Sequence, residues 1–354
     1  MASVTLTDLS AVLDRRTILD RISLDVPDGT CAAVVGPSGI GKSTLLRAIA
    51  GLVIPAEGRI EFDGRDMTTV EVSQRDIGMV FQSPALLPNR NVRRNVEFPL
   101  EVRHETADAI RDRVNAEARA MHIEHLLRRR PSSLSRGEQQ LVQIARTMVR
   151  TPKVLLLDEP FAPLDEQLRA TMRSEIRLLQ RGYGVTTVVA TNDPVDAMSL
   201  ASTLVVLDGS PARVVQFGTT TDVYDEPATV AVAHATGPLW ILDVTVRSDG
   251  DGFWLESGDA VRMRAWAPGL DEYIRRTVWM AVRPDDLRRD ASGDAVATLR
   301  RVIPGGASAS LLCTWGGRMI TATGSAADAE IGTRLRFRVE RALIFDPADG
   351  RRIV

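Results

Sequence analysis

The run Gly36-Pro37-Ser38-Gly39-Ile40-Gly41-Lys42-Ser43-Thr44 constrains this chain more than any other stretch. It matches G-x-x-x-x-G-K-[ST] at every position. Thr30-Cys31-Ala32-Ala33-Val34-Val35 precedes it, an apolar, β-branched stretch that suits a buried strand. Leu45-Leu46-Arg47-Ala48-Ile49-Ala50 follows it and suits a helix. Strand, glycine loop and helix in that order form a phosphate-binding context. Glycines lack Cβ, so their N–H groups can converge on phosphate oxygens, and the helix N-terminus adds partial positive charge. Lys42 then reaches the β- and γ-phosphates, and Ser43 serves as a Mg²⁺ ligand. The alternative is a glycine-rich turn without a ligand, in which the Lys-Ser pair has no structural task.

Two further segments bear on the same chemistry. Val154-Leu155-Leu156-Leu157 is an apolar strand that runs into Asp158-Glu159-Pro160. Asp158 at the strand end can hold Mg²⁺ through water, and Glu159 can polarise a water for in-line attack on the γ-phosphate. Gln82 ends the segment Gly78-Met79-Val80-Phe81-Gln82. Its amide can touch both Mg²⁺ and the attacking water, or it can be structural.

At 354 residues the chain is long enough for two domains. A net charge of −2 gives no pull toward nucleic acid. Of the 44 basic residues only Lys42 and Lys153 are lysines, which isolates Lys42 as a lysine placed where chemistry requires one. Cys31 and Cys313 lie far apart and form no metal motif, which suits a reducing cytosol. The first residues lack the basic and apolar regions of a signal peptide, and no apolar run reaches about 18 residues. A membrane role therefore needs a partner.

Along the chain, Ser3 to Leu9 and Ile18 to Val26 read as strands, followed after the loop by an edge strand at Arg59 to Gly64 and a strand at Ile77 to Phe81. Residues 88–150 turn to helical periodicity, with a helix expected at Thr106 to Met121 and a helix end at Arg128-Arg129-Arg130. A helix at Asp165 to Gln180 and strands at Val185 to Ala190 and Leu204 to Leu207 complete an alternation that predicts a largely parallel α/β sheet. Near residue 235 the pattern becomes short, alternating and turn-rich, and all five tryptophans lie beyond it. Strands are expected at Trp240 to Val246, Gly252 to Glu256, Val261 to Trp266, Thr277 to Arg283, Ala309 to Trp315, Arg318 to Thr323 and Arg334 to Arg341, making a small all-β domain.

Leu134-Ser135-Arg136-Gly137-Glu138-Gln139-Gln140, ahead of a helix expected at Leu141 to Arg150, identifies a family. The chain resembles the ATP-binding-cassette (ABC) ATPases, with Gly36 to Thr44, Gln82, Ser135 to Gln140, Asp158-Glu159 and Leu164-Asp165 in the family's order. The resemblance covers residues 3–232 and implies a P-loop α/β ATPase domain, 1–232, with a helical subdomain at 88–150. It implies ATP and Mg²⁺ as cofactors and a second ABC subunit packed head to tail. Ser135, Gly137 and Glu138 would then face the partner's nucleotide, and Asp165 would connect the two sites. It further implies two membrane-spanning permease subunits docked near Gln82 to Asn89, a solute-binding protein engaged indirectly, and a place on the cytoplasmic face of the membrane.

The second domain, 236–354, resembles the C-terminal oligonucleotide-fold (OB-type) domain of the maltose and glycerol-phosphate importer group. Val278 to Asp286, Gly332-Thr333 and Phe345 to Gly350 carry that likeness. It implies dimerisation and a regulatory surface, with direct ligand binding as the alternative.

Three positions depart from the family. Leu13 stands where an aromatic residue stacks on adenine, which implies weaker base binding. Arg136 replaces a signature glycine, while Gly137 is kept. Asn192 stands where a histidine contacts the γ-phosphate, and none of the four histidines, at 104, 122, 125 and 234, is adjacent. Either Asn192 substitutes for that histidine, or the subunit is a slow site paired with a different ATPase.

Overall fold

A computed structural model describes residues 2–162, 164–265, 268–305, 308–324 and 330–353. The chain divides into two units, Met1–Asp225 and Glu226–Val354. The sequence expectation set the break at 232–236. In the structure the short helix at Val230–Ala235 bonds into the second unit, where Val230 N–H donates to Gly350 O at 2.9 Å.

The first unit opens on an antiparallel hairpin, β1 (Val4–Leu13) and β2 (Arg16–Val26). Both strands run longer than the sequence pattern suggests. Asp14 and Arg15 take left-handed φ values of 49° and 63°, a tight-turn geometry that no glycine announces. The phosphate loop joins β3 (Cys31–Val35) to α1 (Lys42–Ala50). Next come β4 (Glu57–Phe62), β5 (Arg65–Asp66) and β6 (Ile77–Val80). The helical segment holds α2 (Val92–Val102), α3 (Ala107–Ala120) and α4 (Arg136–Met148). The core resumes with β7 (Val154–Asp158), α5 (Glu166–Tyr183), β8 (Thr186–Ala190), α6 (Pro194–Leu200), β9 (Thr203–Asp208), β10 (Arg213–Thr219) and α7 (Thr220–Asp225).

Two sheets form. One is antiparallel, in the order β2-β1-β4-β5. The other runs β10-β9-β3-β8-β7-β6 and is parallel apart from the β9–β10 pair. Every residue of β3, β7 and β8 is buried. Strands covered on both faces need such unbroken apolar runs, which is why these were readable from sequence. The three central strands end side by side at the phosphate loop, at Asp158-Glu159 and at Asn192, so sheet order gathers groups distant in sequence.

Two expectations shift in the helical segment. Arg128-Arg129-Arg130 does not end an α-helix; it follows a 3₁₀ turn at Glu124–Leu126. The helix expected from Leu141 starts five residues earlier, at Arg136, so the signature residues are its first turn.

The second unit contains α8 (Val230–Ala235) and strands β11 (Trp240–Ser248), β12 (Phe253–Ser257), β13 (Val261–Ala265), β14 (Thr277–Val282) and β15 (Leu287–Arg289). It continues with β16 (Ala295–Gly305), β17 (Ser308–Trp315), β18 (Arg318–Gly324), β19 (Arg334–Val339) and β20 (Leu343–Phe345). Their sheet runs β17-β18-β15-β19-β16-β13-β12-β11-β14-β20, and β17 also pairs with β16. Five strands thus close on themselves, the closure expected of a small OB-type barrel. Trp315, 1% exposed, fills its interior and donates from Nε1 to Ala260 O at 3.0 Å. Trp266, placed at a strand end by the sequence pattern, lies outside the described residues.

Candidate nucleotide site

The loop at 36–44 owes its path to three glycines with positive φ: Gly36 at 148°, Gly39 at 78° and Gly41 at 114°. At Gly36 a Cβ would meet Leu207 O at 2.4 Å, and at Gly41 it would meet Ile18 Cγ2 and Leu19 Cδ2 at 2.9 Å. The loop is pressed against β9 on one side and β2 on the other, and only glycine fits there. Gly41 also caps the N-terminus of α1 with no side-chain bond, so the helix presents its first N–H groups and dipole to the loop's concavity.

That concavity is a cavity of about 230 Å³ lined by Ser38, Gly39, Gly41, Lys42, Ser43, Thr44, Gln82, Glu159 and Asn192. Lys42, 5% exposed, uses all three ammonium protons. Nζ donates to Gly36 O at 2.8 Å, to Pro37 O at 2.9 Å and to the Asn192 Oδ1 amide oxygen. Burial holds its pKa below the usual lysine value, and the nearby Glu159 and Asp158 carboxylates oppose that shift. Ser43 Oγ donates to Asp158 Oδ1 at 2.8 Å, so the hydroxyl and the buried strand-end carboxylate already face one another.

Glu159 sits one residue past β7 with φ at 47°, a left-handed conformation uncommon outside glycine. Its N–H donates to Ala190 O at 2.9 Å, which fixes the turn. Burial raises its carboxyl pKa, while the Asn192 backbone N–H and Lys42 pull it down. A carboxylate with raised basicity beside a phosphate pocket can take a proton from water.

The other expected residues are distributed differently. Gly36 and Pro37 act through their carbonyls on Lys42. Ile40 packs against the core, and Asp158 acts through Ser43. Leu13 is half-buried at the hairpin end and does not line the cavity. Ser135 and Glu138 form a reciprocal cap on α4: Glu138 N–H donates to Ser135 Oγ at 3.2 Å and Ser135 N–H to Glu138 Oε2 at 2.7 Å. Arg129 supports Glu138 at 3.2 Å. A Cβ on Gly137 would meet Leu168 Cδ2 at 2.5 Å and Leu164 Cδ2 at 3.1 Å. Asp165 caps α5 by accepting from Leu168 N–H at 2.9 Å. None of these signature-side residues lines the cavity.

Sequence reasoning missed the support behind Asn192. Asp193 caps α6, accepting from Val195 N–H at 2.8 Å and Asp196 N–H at 3.3 Å. No motif marks these residues, and their ion-pair partners on α5 lie more than twenty positions upstream. The Asp193-Pro194 pair, which suits the first turn of a helix, is the signal that could have placed α6.

A model of the ABC transporter family matches residues 19–162. The sn-glycerol-3-phosphate import ATP-binding protein UgpC of Ruegeria sp. (strain TM1040) is 37% identical over 358 residues, spanning 100% of this chain and 99% of the relative. The chain belongs to the ABC transporter family. The sulfoquinovosyl glycerol transport ATP-binding protein SmoE of Agrobacterium fabrum (strain C58 / ATCC 33970) is another relative, 38% identical over 286 residues, or 80% of this chain and 79% of that one. The solved structure of cbiO1 from Clostridium perfringens, described as part of an ABC transporter complex, aligns at a TM-score of 0.58 and 30% identity over 63% of this chain and 90% of that chain. In this ABC protein the cavity, the paired carboxylates and the capped signature helix all fall in the first unit. ABC ATP-binding subunits bind and hydrolyse ATP, and that activity fits the phosphate pocket found here.

Proposed function

We propose that this chain is the ATP-hydrolysing subunit of an importer for sn-glycerol 3-phosphate or a related sugar-like solute. The observation that carries the reading is the convergence of Lys42, the Ser43–Asp158 pair, Glu159 and Asn192 on one cavity, within a chain alignable end to end with an import ATP-binding protein. Phosphates lie in the loop against the α1 N-terminus, with Lys42 released from Asn192 to hold them. Ser43, Asp158 and Gln82 would hold Mg²⁺, a cation that takes few protein ligands and completes its shell with phosphate and water. When bound, it supplies charge neutralisation of the β- and γ-phosphates. Glu159 accepts the proton of the attacking water, and Asn192 donates its amide to the γ-phosphate.

Two such subunits pack head to tail, so that Ser135, Gly137 and Glu138 of each face the partner's nucleotide and Asp165 joins the sites. Ser135 Oγ accepts within its own cap, which leaves its proton to donate to a phosphate oxygen. The second unit holds the dimer and offers a regulatory surface. No helix among the described residues is long and apolar enough to cross a membrane. On this reading two membrane-spanning permease subunits carry the solute, with the subunit at their cytoplasmic face and in indirect contact with a solute-binding protein. Leu52 and Ile54 are 50% and 77% exposed and offer an apolar docking patch. A cavity of about 500 Å³ lined by Asn89, Arg90, Asn91, Arg94, Glu101, Arg128 and Arg130 offers a cationic one, suited to acidic groups on the partner.

The test is reconstitution with the membrane subunits and binding protein in vesicles. ATP turnover is expected to rise when sn-glycerol 3-phosphate is supplied with the binding protein. Turnover indifferent to every glycerol-phosphate and sugar-glycerol solute would sink the importer assignment.

A further inference from the structure

We infer that Arg169 is a positioning residue for ATP hydrolysis, holding Asn192 over Lys42 through Asp193. The inference rests on the role of Asn192 proposed above. Arg169 belongs to α5 and does not line the nucleotide cavity. Its Nη1 donates to Asp193 Oδ2 at 2.6 Å. One turn further on, Arg173 Nη1 donates to Asp196 Oδ1 at 2.7 Å and its Nη2 to Glu166 Oε1 at 2.8 Å.

These pairs differ from ordinary surface bridges in where they sit. Arg173 and Asp196 have side chains only 11% and 4% exposed, and Arg169 and Asp193 are 20% and 30% exposed. Charges withdrawn from water to that degree are costly to leave unpaired, so the pairs hold their geometry. Asp193 carries several contacts at once. One carboxylate oxygen caps α6, the other takes Arg169, and its N–H donates to Thr191 Oγ1 at 3.0 Å. Residues on both sides of Asn192 are therefore fixed, and the side chain between them bonds Lys42.

The same helix that supplies Arg169 begins against the signature. Its first turn carries Leu168, which packs where a Cβ on Gly137 would stand. Helix α5 thus touches, at Leu168, the segment proposed to serve the partner's nucleotide, and at the next residue steers the one that serves its own.

The experiment compares purified Arg169→Ala, Arg169→Lys, Asp193→Asn, Asn192→Ala and the Arg169→Ala/Asn192→Ala double variant. Arg169→Ala is expected to lower kcat about tenfold without raising KM for ATP, as for a residue that serves turnover rather than ATP binding. Arg169→Lys keeps one charged donor and should recover most of the loss. Asp193→Asn keeps a good helix cap while removing the ion pair, and should behave like Arg169→Ala even if that variant folds poorly. The double variant should be no slower than Asn192→Ala within about threefold, because nothing remains to position. Multiplying losses in the double variant, or a wild-type rate in Asp193→Asn, overturns the inference. A wild-type rate in Asn192→Ala instead overturns the role of Asn192 itself, so the two failures are separable.

Discussion

Replacing Asn192 by alanine should move ATP affinity and ATP turnover in opposite directions. In the free protein Lys42 spends one of its three protons on Asn192 and the other two on Gly36 and Pro37. Deleting the amide leaves a buried ammonium donor unmatched, at about 1–3 kcal/mol. A bound phosphate supplies the missing acceptor, so that penalty weighs on the free state alone. Each 1.4 kcal/mol is about a tenfold change in equilibrium, so ATP should bind about fivefold to 150-fold more tightly. On the role proposed for Asn192, the variant lacks an amide donor toward the γ-phosphate in the transition state, a loss of about 10²–10³ in kcat. Fluorescent-nucleotide titration measures the first effect and steady-state phosphate release the second. A kcat within threefold of wild type, with unchanged affinity, would refute the reasoning on both counts. Asn192→His tests the converse: turnover well above wild type marks asparagine as a weak substitute, and equal turnover marks it as an adequate one.

Glu159→Gln should bind ATP and lose turnover by at least about 10²; a variant retaining a tenth of wild-type phosphate release would remove Glu159 as the base. Gly137→Ala drives a methyl into Leu164 and Leu168 and should cost about 1–3 kcal/mol of stability by denaturant unfolding; no loss would mean that α5 yields freely. Glu117 is 3% exposed, and burial raises its pKa from 4.5 to about 7 against the opposing bond from Tyr183. A carboxyl whose folded pKa is raised favours the fold at low pH. Stability should therefore fall as pH rises from about 4.5 to 7, by up to about 3 kcal/mol. Unfolding curves at pH 5 and pH 8 should show that fall, and Glu117→Gln should flatten it.

The parts legible in sequence are those where local rules and the fold agree. The phosphate loop needed glycines at fixed spacing, and β3, β7 and β8 are buried throughout, so apolar runs gave them away. The start of α4 was misread because Gly137 lowers helix propensity, although the Ser135-x-x-Glu138 capping pattern was present. Strands β15 and β20 are three residues each, too short for periodicity, and β16 contains a proline and two adjacent arginines that blur alternation. The pairs Arg169–Asp193 and Arg173–Asp196 join residues 24 and 23 positions apart, and only the placing of α5 beside α6 brings them together. Leu13 fell where the strand spacing put it, at the end of β1, but no periodicity says which way a hairpin tip leans.

The seating of Gly137 against Leu164 and Leu168 alters what that glycine can testify to. It lets α4 seat closely against Leu164 and Leu168, whether or not any nucleotide ever meets it. A copy of this gene that had lost catalysis would still gain from keeping that glycine, because the packing it permits does not depend on ATP. Its survival in a drifting lineage is therefore no proof of a working engine. The Glu159 side chain carries no such packing duty, and there lost activity would first leave its mark.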